Sequence, residues 1–91
     1  MEEEYVEYMY QRLKADTAIR LIRSFPLRTV EQEVLIDGLV GHRGRRGWQK
    51  VYAGEINVDV KTVSRRYQKA LKVSAKFFTA YMARLLERSE C

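Results

Sequence analysis

The sequence predicts an all-α domain of four to five helices, with a helix-turn-helix and a long C-terminal helix. Three observations carry this expectation. Apolar residues recur at helical spacing along most of the chain, and no run of alternating β-branched residues lasts more than a few positions. One proline and five glycines in 91 residues leave few breakpoints. A chain this short buries one modest core, so a single domain is expected. It comprises an N-terminal helical segment over 1–25, a central unit over 29–75 and a C-terminal helical extension over 76–91.

Glu2 to about Lys14 reads as the first helix, with Val6, Met9, Tyr10 and Leu13 as its apolar stripe. Glu2, Glu3 and Glu4 suit the positive end of its dipole. Ala18, Ile19, Ile22 and Phe25 resume the stripe in a new phase. Either one helix bends near Asp16 and Thr17, or Asp16 caps a second one. Pro26 ends the segment by pushing its predecessor out of the helical region.

Thr29 and Gln32 stand at capping-box spacing, and a helix from about Val30 to Val40 follows. Val30, Val34, Leu35 and Leu39 form its inward face, and Gly41 is its stop. The stretch GHRGRRG, Gly41 to Gly47, is a basic loop, too glycine-rich for a helix interior. A helix then runs from Trp48 to about Ile56. Asn57 and Val58 turn the chain, and Asp59 caps a helix that begins at Val60.

In that last helix Val63, Tyr67, Ala70, Leu71, Ser74, Phe77, Phe78, Tyr81 and Leu85 keep helical register. A helix of this length, roughly 40 Å, exceeds what one small core covers. Its C-terminal half therefore packs on the first helix, on another subunit as a homodimer seam, or on a partner protein. A break near Ser74 and Ala75 is the alternative.

The net charge of +5 is unevenly spread. Eight acidic residues face five basic ones from Met1 to Val40. From Gly41 to Lys76 ten basic residues meet only Glu55 and Asp59, and Phe77 to Cys91 is neutral. Such asymmetry points to a polyanionic partner for the central segment.

Other classes are disfavoured. No histidine is placed to partner a nucleophile, and the three-glycine loop lacks the GK[ST] ending of a P-loop, so no enzyme is expected. Cys91 is the single cysteine, and His42 has no second histidine or cysteine at ligand spacing. His42 thus reads as a loop residue, and neither a metal nor a cofactor is expected. No apolar stretch approaches the roughly 18–20 residues that span a bilayer, and the acidic N-terminus has no signal pattern. The expected location is cytoplasmic, without membrane association.

The functional constellation is WQKVYAGEINVDVKTVSRRYQKAL, Trp48 to Leu71. Ala53 is small where a second helix must cross, and Asn57 follows where a left-handed conformation is needed. Tyr52, Ile56, Val58, Val63 and Tyr67 plug the space between the two helices. Lys61, Thr62, Ser64, Arg65 and Gln68 lie off the buried stripe and could reach base edges, Arg65 to guanine and Gln68 to adenine. Arg43, Arg45, Arg46, Lys50, Arg66 and Lys69 are the candidates for phosphate contacts.

The stretch INVDVKTVSRRYQKAL resembles the region 4 helix-turn-helix of bacterial sigma factors. Val58 stands for the family's turn isoleucine and Asp59 for its serine cap. Thr62-Val63, Arg65-Arg66 and Ala70-Leu71 match its threonine-valine, basic and alanine-leucine pairs. The preceding TVEQEVLIDGLVG is similar to the helix before the motif. Asn57 replaces the turn glycine, and Gly54 and Glu55 are unusual in the first helix. No region 2-like segment accompanies the motif, so the likeness is to small stand-alone regulators of the phage or mobile-element type. The resemblance implies sequence-specific binding of double-stranded DNA in transcription regulation. It also implies RNA polymerase as a partner, and a protein-interaction module is the rival function.

Overall fold

The computed structural model of the chain describes residues 2–42 and 45–90, and the side chains of 3–42 and 45–81. Five α-helices follow in order: α1 (Glu2–Arg12), α2 (Ala15–Ser24), α3 (Thr29–Ile36), α4 (Trp48–Ile56) and α5 (Val60–Glu90). A π-helical turn, Asp37–Gly41, extends α3. No strand occurs among the described residues, so the all-α expectation holds. No described helix is long and apolar enough to cross a membrane.

The change of phase after Leu13 separates two helices. Lys14, extended at φ −64° and ψ 151°, holds the N-cap of α2, while Asp16 lies in the first turn rather than at the cap. Val6 and Tyr10 of α1 and Ala18, Ile22 and Phe25 around α2 are buried, with Met9 and Leu13 packed at the margin.

The start of α3 falls one residue earlier than the Thr29–Gln32 spacing predicts. Arg28 is the N-cap, and its backbone N–H donates to Glu31 Oε1 at 2.9 Å. Gln32 instead donates to the Leu27 carbonyl at 3.2 Å. Since Glu31 reaches back to the cap, it turns inward and is buried. Val30 consequently faces outward, 37% exposed, and does not belong to the inward face expected of it. Val34, Leu35 and Leu39 do.

Beyond Ile36 the helix widens. The His42 N–H donates to the Asp37 carbonyl at 2.8 Å, an i to i+5 bond. Gly38 in this turn lies against the Trp48 indole, so close that a Cβ would stand 2.5 Å from Cη2 and Cζ2. Here a glycine is required by a close approach. Burial pushes the Asp37 carboxyl above its usual range, His42 pulls it back and Glu55 adds to the rise.

α5 crosses the whole molecule and packs against α1, α3 and α4. It is one helix of 31 residues, without a break at Ser74 or Ala75. Ser74 is fully buried and its Oγ accepts from the Tyr10 hydroxyl at 2.8 Å. The next turn packs on the N-terminal segment, with Phe78 edge-on to Tyr10 at 4.7 Å and to Phe25 at 5.8 Å. Phe77, also in the helical stripe, is 38% exposed and touches Phe25 from the rim. Leu85 lies outside the described side chains.

The buried tyrosines make stability depend on alkaline pH. Burial pushes the Tyr10 phenol up from 10.0 to about 12, against the smaller opposing effect of its bond to Ser74. Burial also raises Tyr67, whose hydroxyl donates to the Glu7 carboxylate. A phenol whose folded pKa is raised keeps its proton better when folded. Its contribution is whole below pH 10 and is lost as pH climbs through the folded value near 12. Urea melts are expected to show stability falling by about 2–3 kcal/mol over that interval for Tyr10 alone. Tyr10→Phe should flatten the fall; an equally steep one would place its origin elsewhere.

Candidate nucleic-acid interface

The leading end of α5 is fixed by local chemistry. Asn57 closes α4 in the left-handed region at φ 59° and ψ 50°, the expected conformation. Asp59 Oδ1 accepts from the Lys61 N–H at 2.9 Å, and the Asp59 carbonyl accepts from Thr62 and Val63. Ala53 is buried where α4 meets α5, together with Val63 and Tyr67, and Tyr52 and Val58 pack at the edge of this cluster. Ile56 is 38% exposed and does not plug the space as expected. Trp48 sits edge-on to Tyr67 at 4.9 Å, a core residue rather than a stacking platform.

Val63, Tyr67, Ala70, Leu71 and Ser74 point inward along α5. At about 100° per residue the opposite face then carries Lys61, Arg65, Gln68, Lys69, Lys72 and Lys76, all exposed. Thr62, Ser64 and Arg66 are half-buried on its flanks. Arg66 lies toward α4, where its charge opposes the rise that burial and then Asp37 and Glu33 impose on the Tyr52 phenol. Ion pairs among the described residues join Arg23 to Glu33, Arg28 to Glu31, and His42 to Asp37 and Glu55. None of these pairs takes in Lys61, Arg65, Lys69, Lys72 or Lys76.

An open concavity of about 810 Å³ gathers this face. It is lined by all five residues proposed from sequence for base contact, Lys61, Thr62, Ser64, Arg65 and Gln68, and by Arg66 and Lys69. Arg28 and Lys72 complete the lining and were not anticipated. Lys72 had a signal, since it lies seven residues beyond Arg65 on the same helical face. Arg28 had none, being brought in by the fold from the start of α3. Arg45, Arg46 and Lys50 are exposed but lie near the start of α4 and do not line this concavity. Arg43 lies outside the described residues. On the Gln68 side, Glu3, Glu4 and Glu7 of α1 form an acidic border beside Leu71.

Fold and surface together define a class, an all-α domain presenting an exposed cationic helix face among its described residues. Compared with protein-family models, curated proteins and solved structures, this chain matches none of them.

Proposed function

We propose that this protein is a cytoplasmic regulator of transcription that binds double-stranded DNA without catalysing a reaction. In this reading α4, the turn at Asn57 and α5 work as a sigma region 4-like helix-turn-helix. The observation that carries it is the exposed basic face of α5 from Lys61 to Lys72. An α-helix about 10–12 Å across fits a major groove about 12 Å wide. The eleven steps from Lys61 to Lys72 rise about 16 Å, enough for the cations to bridge the groove's phosphate walls. Lys61, Thr62, Ser64, Arg65 and Gln68 read base edges, while Arg28, Arg66, Lys69 and Lys72 hold phosphates. Arg45, Arg46 and Lys50 act at the margin. The acidic border of α1 repels one strand and so sets the polarity of docking.

Selection of bound duplexes from a random pool at near-physiological salt tests the reading. An enriched motif is expected, with affinity falling on a log–log salt slope of about −4 to −8 for roughly five to eight phosphates. A pool that returns no motif and shows no salt dependence would overturn it. The competing reading, a protein-interaction module that engages RNA polymerase or a second copy of the chain, draws on Tyr5 and Tyr8. These α1 side chains are 55% and 53% exposed. That reading expects no motif from the same pool.

A further inference from the structure

We infer that Asp37, His42 and Glu55 form a site for a divalent transition-metal cation of the zinc class. Three elements supply it: the first residue of the π-turn, the residue that closes that turn, and the last turn of α4. Their ligand atoms all lie within 4.8 Å of one another.

The π-turn is what brings the first two together. Residues five apart in an α-helix diverge by about 140° around the axis. The i to i+5 closure brings Asp37 and His42 round to one face, and such turns recur at functional sites. His42 Nε2 then stands 3.0 Å from Asp37 Oδ2. Oδ2 is buried and the contact does not have hydrogen-bond geometry, so neither atom is saturated by it. A ring nitrogen and a carboxylate oxygen converging at this spacing is an arrangement that two ligands of one cation adopt. Metal–nitrogen and metal–oxygen bonds of about 2.0–2.2 Å place neighbouring ligands of a tetrahedral zinc roughly 3.3 Å apart, close to the spacing here.

Glu55 completes the set. Its Oε1 is 4.0 Å from Nε2, and its side chain, 59% exposed, is free to swing the remaining distance. The His42 ring is held in place by stacking on Trp48 at 6.4 Å and 22°. One imidazole and two carboxylates leave a fourth position for water, and the nitrogen donor favours zinc-class ions over magnesium. Bound there, the cation would tie the π-turn to α4. Any effect on DNA binding rests on the function proposed above; the site itself does not.

Calorimetric titration of the free protein with zinc chloride tests the site, in a Cys91→Ser background so that the chain's one thiol takes no part. One saturable zinc per chain is expected, with a raised melting temperature and no comparable heat from magnesium chloride. His42→Ala should weaken zinc binding about a hundredfold or more, and Glu55→Gln about tenfold. Glu55 is exposed, so its conservative variant keeps the fold and guards against loss by unfolding. Absence of saturable zinc binding, equal binding of magnesium, or unchanged affinity in both variants would overturn the inference. Because no DNA enters the titration, its failure is distinct from failure of the DNA reading.

Discussion

Arg65→Glu combined with Lys69→Glu is expected to abolish duplex binding. Contacts to a base edge or a phosphate are each worth about 1–3 kcal/mol, and reversing a charge replaces attraction by repulsion. Two reversals should therefore cost at least about 4 kcal/mol, roughly a thousandfold in affinity. Both side chains are exposed and belong to none of the ion pairs named above, so the melting temperature should hold. Fluorescence anisotropy on the selected duplex reads the affinity, and circular dichroism the fold. The single changes separate the two kinds of contact. Arg65→Ala should relax preference at one base pair, whereas Lys69→Ala should weaken all duplexes alike. Geometry also ranks the outlying cations, because Arg28 lines the concavity and Arg45 does not. Arg28→Ala should cost more than Arg45→Ala. A double reversal that binds as tightly as the unaltered chain would remove α5 from the interface.

What the sequence made legible is what local chemistry decides. Asn57 in a left-handed turn and Asp59 as the cap of α5 follow from side chains acting within a few residues of themselves. The α5 stripe was legible because period alone separates its buried and exposed faces. Two errors came from competing local signals. Thr29 is the better cap residue by type, but Glu31 reaches the Arg28 N–H and shifts the start of α3, turning Val30 outward. Near the turn, Ile56 is apolar enough to suggest the interior, yet it stands 38% exposed at the end of α4. Tertiary approach was not legible at all. Arg28 joins the basic face only once α3 is packed beside α5, and His42 meets Asp37 only because the helix widens. No spacing rule for α-helices brings residues five apart together.

Gly38 supplies the largest expected effect on stability, and there two effects of opposite sign compete. Alanine outranks glycine in helix propensity by about 1 kcal/mol, so an exposed site would gain from Gly38→Ala. At this site the new Cβ would stand 2.5 Å from two carbons of the Trp48 ring. The indole is rigid, only 8% exposed and held between His42 and Tyr67, so it has little room to give. Overpacking of this kind costs about 1–3 kcal/mol and outweighs the propensity gain. Gly38→Val adds bulk without comparable propensity, and should cost about 3 kcal/mol. For a domain of this size that is a fall of some 12–24 °C in melting temperature, roughly 4–8 °C per kcal/mol. Trp48→Phe makes room, so Gly38→Ala combined with Trp48→Phe should lose less than the two single changes together. Additive losses would mean that Gly38 and Trp48 do not compete for the same space.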